Sequence, residues 1–556
     1  MMKTLKISLL FLVCLATLLA CKKQPMEEIF LVDYERAFSP VEVINADINF
    51  DKTNLRWRSI DKANKYIIEV AEDSLPFNEE KIISSGEVEV LSDDAANGAS
   101  FYLDSLFGEK RYTARVKALG FQNGQEDSKW TYFTWQTPPE QIFAAIKNIY
   151  VKGTSLTAFY TVPDGEVTHI EINPGNQIID VSDVTIGETQ TIQLDNLESN
   201  TEYTISIWNS AENRKRGELK PVTKKLAKDF ENVVILAPGE SLATACSNAD
   251  NIGKTIYLPD GYTFNATTNP GIIFAGTMTV YGDPDAAIKP SITYQATGSP
   301  RLFTWVNECK IDELRLENLS IKHTDKTVEA CVFFNASAAG NDDIDSLNSI
   351  VLENCDVANF GRSFLRLQGS ATDYWNAPIG LVSLNNCTFT DCSTASYAFF
   401  TMNVLKEAVT KIEISNSTFY NIQNRFLNAQ RTAEAEAAED PCKSITIENS
   451  TFNAFGAKNY FIDAVRNASL AITLRNLIFG QSGADASGYQ YAEGSSISTQ
   501  NCYFTTDFVN INGKFPDLIA YPKASTDLFT DPSTGNFQIK ATDFEGRKTA
   551  GDPRWR

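Results

Sequence analysis

The sequence predicts an all-β chain: two antiparallel β-sandwiches followed by a right-handed parallel β-helix. Three observations carry this reading. One phrase, apolar-x-apolar-x-Asn-small-x-apolar, recurs seven times between Leu314 and Phe504. Ahead of it, from Ile29 to about residue 225, short alternating strands run in two similar rounds. Between the two regions, near Asp229, this pattern gives way to a short helical stretch and then to strands at a new spacing.

The repeat is clearest in Leu314-Arg-Leu-Glu-Asn-Leu-Ser-Ile321, Ile412-Glu-Ile-Ser-Asn-Ser-Thr-Phe419 and Ile445-Thr-Ile-Glu-Asn-Ser-Thr-Phe452. Its asparagines are Asn318, Asn354, Asn386, Asn416, Asn449, Asn476 and Asn501, separated by 36, 32, 30, 33, 27 and 25 residues. Self-similarity at this period marks a solenoid, and period-2 alternation with β-branched residues makes its unit stranded. An Asn between two short strands tolerates an unusual backbone angle and bonds locally. Stacked coil on coil, such asparagines form a hydrogen-bonded ladder at the corner. The residue after each Asn is small or apolar and the third after it is mostly Phe, which suits columns stacked inside a narrow tube.

The elements follow in chain order. Lys3 and Lys6 precede an apolar run from Ile7 to Leu19, and Leu18-Leu19-Ala20-Cys21 resembles the bacterial lipobox. Residues 1–21 are therefore read as a lipoprotein signal peptide, removed before folding. In such proteins the thiol receives diacylglycerol, so the resemblance implies that Cys21 is lipidated and anchors the chain to a membrane without spanning it. Residues 22–137 form the first sandwich, with strands at Leu55-Arg-Trp57, Tyr66-Ile-Ile-Glu-Val70 and Arg111–Ala118. This resembles fibronectin type III: a core Trp on the second strand, and Leu106 with Tyr112 at a tyrosine corner. Residues 138–227 repeat the pattern, with a corner at Leu197-Glu-Ser-Asn-Thr-Glu-Tyr203 and a strand Thr204-Ile-Ser-Ile-Trp208. The tryptophans are read as core anchors and the modules as spacers. In the β-helix, residues 228–520, Ser241–Ala249 is a capped helix that plugs the open end. The strands at Thr255 and Met278 that follow are similar to the entry of the pectin-lyase-like superfamily. Residues 521–556, ending Ala550-Gly-Asp-Pro-Arg-Trp555, are a tail expected to fold over the far end. Lipobox, sandwiches, solenoid and terminus together resemble Bacteroidetes outer-membrane lipoproteins of uncharacterised-domain type. That resemblance implies a cell-surface place in a glycan-utilisation system, with glycan-uptake proteins as partners.

The formal charge is −21, from 49 basic and 70 acidic residues, a field that repels nucleic acid. Ten Cys become eight without Cys14 and Cys21. Cys355, Cys387 and Cys502 share one repeat position, so mostly free, buried thiols are expected. No CxxC or HExxH occurs, so no zinc site is expected, and the only histidines, His169 and His323, lie in different domains.

A second strand lies between successive asparagines: Val332–Ala336, Phe364–Gln368, Phe399–Asn403, Phe426–Gln430 and Phe461–Val465. Alternation sends Val332, Leu365, Phe400, Leu427 and Ile462 inward. It leaves three outward columns: Phe333, Phe364, Phe399, Phe426, Phe461; then Asn335, Arg366, Thr401, Asn428, Asp463; then Ser337, Gln368, Asn403, Gln430, Val465. Parallel strands repeat at about 4.8 Å, comparable to one sugar unit, so such a column meets a polysaccharide in register. In the pectin-lyase-like superfamily the corresponding strand lines the substrate groove. Tyr374 and Trp375, in the loop after Gln368, are candidates to stack on a sugar ring. The expected binding residues are thus Arg366, Gln368, Tyr374, Trp375, Asn403, Asn428, Gln430, Asp463 and Arg466; the opposing reading has the columns only facing water. The lyase RxPxxR and polygalacturonase Gly-His-Gly signatures are absent. A polysaccharide lyase or glycoside hydrolase would need an unfamiliar set, such as Arg366, Arg431 or Arg466 as base near Asp463. No cofactor is expected; calcium is a candidate at Asn341–Asp345, against a solvated loop. The reading is a surface lipoprotein that binds polysaccharide along its β-helix.

Overall fold

The seven repeat asparagines share one backbone state. Their φ angles are 58° at Asn318, 52° at Asn354 and Asn386, 49° at Asn416, 47° at Asn449, 53° at Asn476 and 52° at Asn501. This left-handed region costs most L-residues about 1–2 kcal/mol and Asn least among them. It turns the chain so that each Asn N–H reaches the next coil: Asn354 N donates to Asn385 O at 3.0 Å and Asn476 N to Gln500 O at 2.9 Å. The computed structural model describes residues 35–556 apart from 41–42, 61–62, 74, 91–97, 121–123, 307–308, 338–343, 369–377, 395–396, 404–406, 431–438, 457–460, 465–468, 484–488, 492–495 and 510–514.

Around this corner the chain winds a parallel β-helix of three sheets, with ten, ten and eight strands among the described residues. The first sheet runs from Val233–Ile235 to Ser496–Gln500 and ends each coil's approach to the asparagine; the second runs from Thr263–Ala266 to Ile519–Ala520; the third from Ile272–Phe274 to Tyr489–Tyr491. Every strand pairs in parallel with its counterpart one coil on, as Ile412 does with Ile445 and Phe419 with Phe452. The side-chain ladder is interrupted, however. Asn354 Nδ2 donates to Asn318 Oδ1 (2.7 Å), Asn476 to Asn449 (2.9 Å) and Asn501 to Asn476 (2.8 Å). Between these, Asn386 donates to Glu353 Oε1 and Asn416 to Asn385 Oδ1. A second left-handed column, five residues further on, was not foreseen: Asn359, Asp391, Asn421 and Ala454, with φ between 50° and 68°.

The tube is filled by a lattice of phenylalanines. Phe389, Phe419 and Phe452 stack within 7° of parallel at 4.9–5.0 Å, as do Phe364, Phe399, Phe426 and Phe461 within 10° at 5.0–5.2 Å. The two columns meet edge to face, Phe419 against Phe426 at 85°. Each buried ring is worth about 1.5–3 kcal/mol in burial, with about 0.5–1.5 kcal/mol more for a well-set aromatic pair. The second of these columns was expected to face outward. It is buried because the chain bends where the third sheet begins: Phe364 N and Leu365 N both donate to Phe399 O, so neighbouring side chains turn inward together. All eight cysteines from Cys246 to Cys502 are buried and outside any disulfide, and burial pushes the Cys392 thiol up to about 12.

The ends are closed differently. Helix Leu242–Ser247, capped by Ser241 Oγ accepting from Thr244 N, buries Leu242, Ala245 and Cys246 at the first. At the last, Phe508 and Phe515 fill the bore. The tail after residue 521 does not lie over that end. It packs as a separate apolar cluster, Leu528, Phe529, Phe537 and Phe544, and then runs back along the second sheet. There Asp552 Oδ2 accepts from Thr418 Oγ1 (2.7 Å) and Trp555 Nε1 donates to the same hydroxyl (2.7 Å).

The N-terminal modules are β-sandwiches. In the first, the sheet Val43–Ile48, Thr53–Trp57, Ala99–Leu103 faces the sheet Ile82–Glu89, Lys65–Glu72, Arg111–Ala118, Thr131–Gln136. Trp57 is buried, and Tyr112 Oη accepts from Phe107 N (2.8 Å). In the second, Tyr203 Oη accepts from Glu198 N (2.7 Å), the same corner. Trp208 is only half-buried there, and Ile170, Ile172, Ile205 and Ile207 supply the core. This module is docked on the solenoid and is no free spacer. Asp285 accepts from Gly153 N, Thr154 N and Thr154 Oγ1, Asn148 donates to Glu353 Oε1 (3.0 Å), and Lys147 Nζ reaches Arg556 O (2.8 Å). Among the described residues no helix is long and apolar enough to cross a membrane.

Candidate functional site

Third-sheet strands stack in register, so residues from distant coils share columns. Phe334, Leu365, Phe400, Leu427 and Ile462 form the inward one. Val332, expected in that column, instead pairs with Arg301 and Ser363, two positions earlier. The next column is Asn335, Arg366, Thr401, Asn428, Asp463 and Gln490. Gln368 pairs with Ser337 and Asn403 beyond it, although those side chains lie outside the described residues.

The central column does not present a uniform outward face. Asn335, Thr401 and Asp463 are buried, while Arg366, Asn428 and Gln430 are half-buried. Burial follows from local partners. Asn335 Oδ1 accepts from Arg366 Nη1 (3.1 Å). Thr401 Oγ1 donates to Ala398 O and meets Ser363 Oγ at 3.1 Å. Asp463, 1% exposed, sits under Arg425 (2.9 Å) and accepts from Gln430 Nε2 at the same Oδ2; no hydrogen bond reaches Oδ1. Asp463 is therefore an interior carboxylate, not the surface one the alternation implied. Tyr374, Trp375, Arg431, Arg466 and the Asn341–Asp343 run lie outside the described residues, as does Cys21.

At the start of this column a polar cleft of about 330 Å³ opens between coils, lined by Asn269, Arg301, Asn335, Arg362 and Arg366, with Ser299, Pro300 and Val332. Arg362 and Arg366 both pack on the ring of Tyr397, with guanidinium carbons 4.4 and 5.1 Å from its centre. Arg362 also donates to Tyr397 Oη (3.2 Å). Burial, and after it the neighbouring Arg362, lower the pKa of Arg366 from its usual value; an arginine stays charged regardless. Sequence reasoning singled out Arg366 and Asn335 here but missed Arg301, Arg362, Asn269 and Tyr397. These come from strand edges and loops, where the repeat has no fixed position. Among the described residues no group of three or more His, Cys, Asp or Glu is placed to hold a metal.

By strand order and tyrosine corners, the chain is two fibronectin type III-like sandwiches joined to a parallel β-helix. Residues 445–555 match a family described as a domain of unknown function, DUF5123. That span takes in the last asparagine coils and the tail packed along them. No curated protein matches the chain. Among solved structures it is similar to a two-domain fibronectin type III segment of chicken tenascin, at 18% identity over 34% of this chain and 99% of that one, with TM-score 0.21. It is also similar to the fibronectin type III domain of the human collagen alpha-1(XX) chain, at 22% identity over 18% and 86%, with TM-score 0.14.

Proposed function

We propose that this chain is a cell-surface lipoprotein, held in the outer membrane through Cys21, that binds a polysaccharide across the third sheet and offers it to glycan-uptake proteins. One observation carries the reading: polar residues of successive coils share one register column, Asn335, Arg366, Thr401, Asn428 and Asp463, which begins at the arginine-lined cleft. The repeat of about 4.8 Å per coil matches a sugar polymer better than a compact ligand, and Tyr397 supplies an aromatic surface beside it. The lipobox supports the anchor.

A lyase or hydrolase is the second reading. What favours it is Asp463, a buried carboxylate with one oxygen unoccupied by any donor, beside Arg425. One experiment divides the two. Purified protein lacking residues 1–21 is run through native gels cast with a panel of plant, algal and host polysaccharides, and the same mixtures are assayed for reducing ends and for unsaturated products. Retardation without product supports binding; product supports the enzyme; neither result with any polymer refutes both. For a retarding polymer, Arg366→Ala with Asn428→Ala should weaken binding at least tenfold, since a hydrogen bond to a charged group is worth about 1.5–3 kcal/mol. Labelling of cells with a fatty-acid probe, lost in Cys21→Ala, tests the anchor.

A further inference from the structure

The charge in the third sheet is unevenly placed. Three guanidiniums, Arg301, Arg362 and Arg366, line one cleft of a chain whose net charge is −21. No carboxylate is among the cleft's described lining residues, and neither Arg301 nor Arg362 has one within salt-bridge reach among the described residues. Arg362 and Arg366 both contact the Tyr397 ring despite like charge. Tyr397 and Asn335 partner these guanidiniums without neutralising them, and two like charges brought together in a half-buried place repel and lose water. Asn269 and Asn335 add amide groups at the same wall. Further along the column the polar groups change character: Asn428 and Gln430 are neutral, and Asp463 is acidic.

We infer that the Arg301–Arg362–Arg366 cleft is an anion subsite that takes one carboxylate or sulfate ester carried on an otherwise neutral polysaccharide. A guanidinium fork matches both groups in a two-pronged contact. A uniformly acidic polymer fits poorly, because its further charges would lie beyond the arginines and against the negative field of the whole chain. The glycan thus enters with its charged unit in the cleft, crosses Tyr397, and places neutral sugars over Asn428 and Gln430. This rests on the glycan-binding reading above and adds the position and number of charges.

The test uses titration calorimetry at fixed ionic strength with four probes. These are a glucuronate-substituted xylan and its carboxyl-reduced form, and a sulfated galactan and its desulfated form. Polygalacturonate, free glucuronate and inorganic sulfate are titrated alongside. Arg362→Gln and Arg301→Gln are the variants, each checked for an unchanged thermal midpoint. The expected result is at least tenfold tighter binding of one charged polymer than of its neutral form, with polygalacturonate weaker, and a preference lost in Arg362→Gln. Preference for the carboxylated or the sulfated pair identifies the source of the anion. Equal affinity for charged and neutral forms overturns the subsite and leaves the glycan reading standing, as does tightest binding of polygalacturonate. If no polymer binds, the glycan reading fails. The cleft is then judged on free glucuronate and sulfate, and binding that is absent or indifferent to Arg362→Gln overturns it as well.

Discussion

The asparagine corner can be tested at Asn476, where backbone and side-chain contributions separate cleanly. Asn476 holds φ at 53°, donates Nδ2–H to Asn449 Oδ1 at 2.9 Å and accepts from Asn501 Nδ2 at 2.8 Å. Asn476→Gly keeps the left-handed angle and removes both bonds. Neither partner is stranded, because Asn501 Nδ2 keeps Thr549 Oγ1 and Asn449 Oδ1 keeps Arg556. At about 0.5–1.5 kcal/mol each, plus about 0.4–1 kcal/mol for the freer unfolded glycine chain, the cost is about 2 kcal/mol. Asn476→Ala loses the same bonds and adds about 1–2 kcal/mol for an L-residue in this basin, reaching about 3 kcal/mol. Solenoids need not unfold in one step. The measurement is therefore hydrogen exchange at the Gly551 amide, which donates to Asn476 O at 2.8 Å, together with the guanidinium midpoint. The alanine variant should exchange about fivefold faster than the glycine variant. Equal or slower exchange in the alanine variant would refute the left-handed corner as the device that sets the coil.

Three further outcomes are expected. Phe419→Ala, which empties a fully buried site flanked by Phe389, Phe452, Phe399 and Phe426, should cost about 4 kcal/mol; a loss below about 1 kcal/mol in chemical denaturation would contradict the packed lattice. Ala454 occupies the second left-handed column at φ 52° and is half-buried, so Ala454→Gly should raise the thermal midpoint, by the equivalent of about 0.5–1 kcal/mol. Lys224 faces Glu317 and Glu353 in the crevice under the second sandwich, with Lys289 beside it, and burial brings its pKa down to about 8 from 10.5. Between those values the unfolded chain binds more protons than the folded one, so this group's contribution to stability rises with pH. Lys224→Met should therefore be more stable than wild type at pH 7, by on the order of 3 kcal/mol, with the gap closing as pH rises from 8 to 10.5; a gap independent of pH would exclude Lys224 as its source.

What the sequence disclosed followed from rules that act locally. Seven asparagines at one grammatical position imply one dihedral state, and that state is present at all seven. The alternation rule also placed Asn335, Arg366, Thr401, Asn428 and Asp463 in one column. It failed two residues before that column, at Phe364 and its equivalents. Period-2 alternation presumes a straight strand, and here the chain is still turning: Ser363, Phe364 and Leu365 are all buried in sequence. Val332 was misplaced by two positions along its strand: both it and Phe334 are buried, but the residue that pairs with Leu365 is Phe334. Burial of Asp463 was not legible either, because its cover, Arg425 and Gln430, comes from the preceding coil. The arginine cleft is assembled across coils from Arg301, Arg362 and Arg366, and no periodicity marks the first two. Glu353 explains the broken ladder: it accepts from Asn385, Asn386 and Asn148, so the coil gives up one Asn–Asn bond to hold the second sandwich.

These contacts also bear on which face of the tube remains for a ligand. The second sheet is covered by the protein's own tail, through Thr418, Thr451 and Asp552. The corner between first and second sheets carries the docked sandwich, through Glu353 and Asp285. On the first sheet the outward charges pair within the sheet: Arg315 with Glu313 and Glu317, Lys411 with Glu413, Arg475 with Glu448. A surface whose charges are already matched has little to offer a charged partner beyond weak, screened contacts. The third sheet differs in each respect. Among the described residues the tail's contacts lie on the second sheet and not on the third, and at the third sheet's early coils Arg301 and Arg362 have no described carboxylate within salt-bridge reach. A face that the tail leaves open, with like charges gathered at its early coils, is where a ligand would repay the arrangement.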